Sequence, residues 1–239
     1  MAEFDDDVIE GLTRRARDEN GNPILVPQNM NYKEWYDKYV NKEERIIDNI
    51  FSKNKKIQLK DITKQKDNII NQAFKNNNIK KIALNTNIKS IKVGGSKAHH
   101  RNGNIVLKEN YDSHTVRHEI AHAVDCYNKW ISSSKTFMQA IQKDKQKIIN
   151  NSNLYKKLIK NNSNYVELSD IIGGMTNNKI VGRYKHSNKY WKQKNKLERE
   201  IFAQMFTTAG NDDLKQLEIF QKYLPNTFRE FDNLIRRIL

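Results

Sequence analysis

The chain has 239 residues, 37% of them hydrophobic, with 43 Lys and Arg against 28 Asp and Glu for a formal net charge of +15. Nine Phe, ten Tyr and three Trp supply core for one sizeable domain with appendages, which excludes a wholly disordered chain. A single cysteine, Cys126, excludes an internal disulfide, and no apolar run approaches the roughly 20 residues that cross a bilayer.

Net positive charge attracts nucleic acid, anionic lipid and acidic protein without choosing among them. The cations are scattered along the sequence and read as the Lys, Asn and Ile bias of AT-rich coding, so nucleic acid is expected to bind only non-specifically. The opening MAEFDDDVIE lacks the basic and apolar regions of a secretory signal.

Residues 1 to about 30 read as a connector, with Gly21, Pro23 and Pro27 interrupting any helical period. In NYKEWYDKYV (31–40), Tyr32, Trp35, Tyr36 and Tyr39 fall on one helical face, a docking stripe for the rest of the fold. The expected organisation is a connector and aromatic helix over 1–45 and one domain over 46–239.

From 41 to about 78, Ile46, Ile47, Ile50, Ile62, Ile69, Ile70 and Phe74 predict helix. The β-branched alternation of IKKIALNTNIKSIKV (79–93) predicts strands. Asn102-Gly103 is a hairpin turn signal leading into a strand at 104–107, expected to be an edge strand. Residues 135–160 predict a solvated helix pair, and 169–191, with three glycines, a loop-rich segment. The remaining C-terminal residues hold two helical patterns, LEREIFAQMFTTA and PNTFREFDNLIRRIL, with Pro225 placed to open the second.

The chemistry gathers at HEIAHAVD (118–125). Asp112 or Ser113 can cap a helix from about 114 to 130, buried through Val116, Ile120, Val124, Tyr127 and Ile131. His118 and His122 are then one turn apart, about 6 Å along the axis, and can share one Zn²⁺. Glu119 projects beside them, where it can take a proton from an attacking water. His114 extends the series but lies about 12 Å from His122, too far to join both others on one tetrahedral ion.

A carboxylate from the later helix LEREIFAQMF can complete a His₂Glu set; Glu200 and Glu198 are the candidates, on opposite sides of that helix. Asp125, a turn beyond His122, reads as an outer hydrogen-bond partner of the imidazoles, a structural group or a ligand. His99 and His100 read as a solvated pair, His186 as a residue that can line the cleft, and Cys126 as a buried, inert thiol.

HEIAHAVDCY together with EIFAQMF resembles the lethal-factor-type gluzincin zinc peptidases, whose sites read H-E-x-x-H followed by E-x-F-A-x-x-F. The resemblance implies ligands at His118, His122 and Glu200 and a general base at Glu119. It also implies a tyrosine, shortly before the third ligand, that steadies the tetrahedral intermediate. Tyr190, ten residues before Glu200, is the first choice for that role, and Tyr184 lies earlier still.

In motif patches over most of the chain, TRRARDENGNPILVPQNMNYKEWYDKYV, SDIIGGMTNNKIVGRYKHSNKYW and EIFAQMF are similar to the tails of phage minor head (head-morphogenesis) proteins. That resemblance implies a C-terminal piece of a longer phage protein or a standalone relative. It further implies capsid or portal partners and a place in the bacterial host cytoplasm or the virion.

The expectation is therefore an α+β, zincin-like domain with a small mixed sheet and helical additions. Its expected activity is zinc-dependent endopeptidase action on a protein or peptide laid along the strand at Asn104–Leu107. Two rivals stand beside it: a catalytically silent structural module of a head protein, and a nucleic-acid-binding module.

Overall fold

A computed structural model describes residues 59–160, 166–182 and 186–239, Val166 by its backbone alone. The connector, the aromatic stripe of 31–40, the boundary at 45/46 and Tyr184 lie outside the described residues. All described residues belong to the unit Leu59–Leu239, which is α+β and mostly helical.

Four strands, β1 (Lys60–Asp61), β2 (Ser90–Val93), β3 (His99–Arg101) and β4 (Asn104–Leu107), form a mixed sheet in the order β1-β2-β4-β3. The hairpin signal at Asn102-Gly103 joins β3 to β4 antiparallel, with φ of 50° and 83° at its two central residues. Asparagine and glycine tolerate that left-handed geometry, which matches the twist of the flanking strands. β4 also runs parallel to β2, placing Ile91 beside Ile105 and Val93 beside Leu107. Ile91, Ile105 and Leu107 are all buried.

Asn104–Leu107 is thus an interior strand, contrary to expectation, and the free edge among the described strands beyond β4 is His99–Arg101. The misreading has a physical cause. Hairpin pairing is local and legible, whereas the parallel β2–β4 pairing covers the other side of β4 from a strand that lies beyond the hairpin, with no turn joining the two.

The strand expectation for 79–93 holds only at Ser90–Val93. After α1 (Lys66–Ala73), Asn76 accepts from the amides of Asn78 and Ile79 and starts α2 (Asn77–Asn85). Ile79, Ile82 and Ala83 share its buried face. Their spacing of three and four is helical, and it overrides the β-preference of isoleucine.

The core of the unit is α3 (Ser113–Tyr127) packed along α8 (Lys196–Gly210). Asp112 caps α3 by accepting from Thr115 at 2.7 Å. The chain leaves α3 through Lys129 and Trp130, both left-handed (φ 57° and 61°). Val116, Ile120 and Val124 are buried as expected, whereas Tyr127 is 55% exposed. On α8, every residue from Glu200 to Gly210 is buried. The Gly210 carbonyl accepts from Lys75 and Asn76 at the α1–α2 junction, and Arg117 donates to Ala73.

The helix pair α4 (Lys135–Asn150) and α5 (Ser152–Lys160) exists but is not simply solvated. It buries Phe137, Ile141, Ile148, Tyr155 and Ile159. The fully buried Asp144 carboxylate accepts from the backbone and side chains of Asn226 and Thr227. This fastens α4 to the start of α10 (Pro225–Ile238), which Pro225 opens as expected.

Two elements depart from the expected loops. Val166–Met175 forms α6, burying Leu168, Ile171, Ile172 and Met175. Its glycines serve packing: a Cβ on Gly174 would stand 2.7 Å from Leu197 and 3.0 Å from the Trp191 ring. A short α7 (Asn188–Trp191) follows, and α9 (Leu214–Tyr223) lies between the two C-terminal helices that the sequence predicts.

Candidate metal centre

Helical spacing sets His118 and His122 on one side of α3, and α8 brings Glu200 against them from 78 residues further along the chain. His118 Nε2 is 3.3 Å from Glu200 Oε2, and His122 Nε2 is 3.4 Å from Oε1. One ligating atom from each residue lies within 4.8 Å of the others. The imidazoles are perpendicular, with centroids 4.8 Å apart, so their nitrogens converge rather than stack.

This donor set fits a zinc ion. Tetrahedral ligands at about 2.1 Å stand about 3.4 Å from one another, the separation found between each imidazole and the carboxylate. Glu200 is 1% exposed, and its Oε2, like Nδ1 of His118, is buried without a hydrogen-bond partner. A buried carboxylate oxygen that faces an imidazole nitrogen at 3.3 Å without hydrogen-bond geometry costs stability that a cation between it and the imidazoles would restore. Two imidazoles with one carboxylate is a set suited to Zn²⁺, and it leaves a fourth position free.

Electrostatics sharpen the division of roles. Burial would raise the Glu200 carboxyl, but the charges of His122 and His118 overcome it and hold Glu200 well below the carboxylate range. Glu119 shifts the other way: burial raises its carboxyl, against the opposing pull of His118 and His122. Two carboxyls that feel each other's charge therefore differ in proton affinity, one held ionised and one able to accept and hold a proton. For His118, burial lowers the imidazole, and the contact with Glu200 together with the charges of Glu119 and Asp170 raises it by more.

Ser187 caps α7 and aims Tyr190 into the site. The Tyr190 hydroxyl donates to Glu200 Oε1 at 2.5 Å; burial, then the Glu200 charge, push its ionisation far above the ordinary tyrosine value. The phenol ring stacks on His186 at 4.2 Å and 13°, and Lys196 Nζ sits 4.6 Å from the ring centroid. His186 is anchored in turn, its Nδ1 2.9 and 3.0 Å from the two carboxylate oxygens of Asp170, which is 1% exposed. Lys196 also pairs with Glu200 at 3.4 Å, one helical turn away.

Asp170 and Lys196 are absent from the sequence reading. Asp170 carried one faint signal, an acid embedded in the apolar run VELSDIIGGM.

The other expected residues separate clearly. Glu198 does not join the cluster. His114 stands outside the ligand set and pairs with Glu167 at 3.5 Å. Asp125 is fully buried, and its oxygens accept from the Ser132 backbone (2.9 Å) and hydroxyl (2.6 Å). It braces the turn after α3, the structural reading of the three.

His99 and His100 split across the strand. His99 is exposed, whereas His100 is half-buried, and its Nε2 accepts from the Gly103 amide at 2.9 Å. Burial, with the charges of His122, His99 and Lys196, pulls His100 down to about 4, so it is neutral. Cys126 is half-buried, and burial with the Asp125 charge raises its thiol, the condition of an unreactive cysteine.

No protein-family model, curated protein or solved structure matches the chain.

Proposed function

We propose that the protein is a zinc-dependent endopeptidase of zincin-like fold, the reading to which the resemblance in HEIAHAVDCY and EIFAQMF also leads. The observation that carries it is the convergence of His118, His122 and Glu200 within 4.8 Å, with the raised carboxyl of Glu119 on the same helix. His118, His122 and Glu200 would hold the ion. When bound, Zn²⁺ supplies Lewis acidity, polarising a peptide carbonyl and easing deprotonation of water.

The chain's own residues carry the proton chemistry. Glu119 takes the proton of the attacking water on its carboxylate and delivers it to the departing amine nitrogen. Tyr190 holds a hydroxyl proton that stays in place at working pH, beside the carboxylate that anchors the site. Reoriented from Glu200 to substrate, that hydroxyl donates to the oxygen on which negative charge develops. Asp170 and His186 hold the Tyr190 ring in position.

The substrate would lie extended along His99–Arg101, the edge beyond β4 among the described strands, pairing its backbone as an added strand. The resemblance to phage minor head proteins makes a capsid or portal protein a candidate substrate or partner. The test is hydrolysis of a degenerate peptide library by zinc-supplemented protein. Cleavage that stops with a chelator and in Glu119→Gln, while Glu119→Gln retains zinc, is expected. Cleavage unchanged in Glu119→Gln, or absent from the zinc-loaded protein, refutes the proposal.

A further inference from the structure

The positive charge is scattered if cations alone are counted, but the missing anions are not. Residues 68–108 and 171–197 contain no Asp or Glu. At the chain's overall content, 28 acidic residues in 239, those two stretches would hold about eight. Coding bias toward lysine does not place such gaps.

Both stretches border the metal cluster. The first supplies β2, β3 and β4 and carries Lys89, Lys92, Lys97, Arg101 and Lys108. The second supplies α7 and the start of α8, with Lys189, Lys192, Lys194 and Lys196. The carboxylates of the site itself, Glu119, Glu200 and Asp170, are buried.

On the free edge, residue alternation places His99 and Arg101 on one face of the sheet and His100 on the other, toward His122. His99, Arg101 and the neighbouring Lys97 are exposed. Neither Lys97 nor Arg101 forms an ion pair among the described residues. A strand added beside β3 would set alternate side chains directly against His99 and Arg101. Across the site, Lys196 is 26% exposed beside the Tyr190 ring.

From this placement we infer that the substrate is an acidic peptide segment. Bound extended on His99–Arg101, it turns Asp or Glu side chains toward Arg101 and Lys97 on one side of the scissile bond and toward Lys196 on the other. A peptide, rather than a nucleic acid, matches the geometry, because β3 offers backbone groups at strand spacing and carries no Phe, Tyr or Trp on which bases would stack. The inference rests on the peptidase reading for its active-site frame, and the experiment separates the two.

Decapeptides sharing one central sequence, with acidic, neutral or basic flanks, are offered to the zinc-loaded protein and to its Lys97→Glu/Arg101→Glu variant. The same peptides, fluorescently labelled, are titrated into zinc-loaded Glu119→Gln, alongside a single-stranded oligonucleotide of equal charge. Exposed charge pairs contribute modestly one by one, so two or three together give about a tenfold preference for acidic over neutral flanks in kcat/KM and in affinity. The double variant keeps its bound zinc and loses that preference.

Tight binding of acidic peptide without cleavage supports the inference and sinks the peptidase reading. Cleavage indifferent to flank charge, or favouring basic flanks, overturns the inference and leaves the peptidase standing. Oligonucleotide binding tighter than the acidic peptide, lost in the double variant, also overturns it and assigns the surface to nucleic acid.

Discussion

Replacing His186 by alanine tests how far the site depends on residues that never touch a ligand atom. The imidazole bonds a carboxylate that is 1% exposed at 2.9–3.0 Å and stacks on Tyr190 at 4.2 Å. A hydrogen bond to a buried charge contributes about 1.5–3 kcal/mol, and an aromatic stack about 0.5–1.5 kcal/mol. Their joint loss therefore costs about 2–4.5 kcal/mol, shared between global stability and the placement of Tyr190.

Tyr190 then loses its fixed approach to Glu200, and zinc affinity falls. Groups that orient a metal ligand typically contribute about 10–100-fold; the lower end applies here because the path runs through two side chains. The assay is zinc competition against a chromophoric chelator, with urea unfolding alongside. His186→Phe keeps the stack and loses the Asp170 bond, so its zinc affinity lies between wild type and alanine. A folded His186→Ala protein whose zinc Kd stays within about twofold of wild type would refute the reasoning.

Tyr190→Phe, which deletes the hydrogen bond to Glu200, is expected to weaken zinc about tenfold and, at saturating zinc, to lose about 10²–10³ in kcat with little change in KM, the signature of a donor used in the transition state; an equal rise in KM would contradict it. Asp144→Ala strands the buried Thr227 amide and hydroxyl at the head of α10, so urea unfolding should show a loss of about 3–5 kcal/mol without altered metal binding.

Asp112 gives a pH-dependent prediction. Hydrogen bonds from Thr115 hold its carboxyl below the ordinary 3.8. A depressed folded value means its capping stabilisation is complete above pH 3.8 and fades as pH falls through the folded value. Asp112→Asn should therefore narrow its stability gap to wild type only in that acid window. A gap that narrows toward neutral pH would reverse the sign and refute it.

The parts of the site carried by local geometry were legible in the sequence. His118, Glu119 and His122 sit where four-residue helical spacing puts them, and Asp112 caps their helix. Glu200 was legible through its EIFAQMF context, where the buried Ile201, Phe202, Ala203 and Phe206 fix the face that meets α3. Asp170 and Lys196 escaped because their roles are tertiary. Asp170 reaches Tyr190 across the fold, through His186 and by its charge, and Lys196, although one turn from Glu200, meets the Tyr190 ring when α7 folds back over α8.

The same boundary runs through the fold. The 102–103 hairpin and the opening of α10 at Pro225 depend on neighbours in sequence and were read correctly. The identity of the edge strand depends on β2 pairing with β4 across ten intervening residues, and a local signal does not contain it. In α2 the two local signals conflict, β-branched isoleucines at helical spacing, and burial of Ile79, Ile82 and Ala83 decides in favour of the helix.

The most direct measurement of the central claim is zinc content per chain in purified, zinc-incubated protein, beside His118→Ala, His122→Ala and Glu200→Ala. About one equivalent in wild type and Glu119→Gln, lost in all three ligand variants while their circular dichroism stays native, is what the His₂Glu arrangement predicts. Absence of zinc from wild type at excess metal, or its full retention in Glu200→Ala, would contradict it.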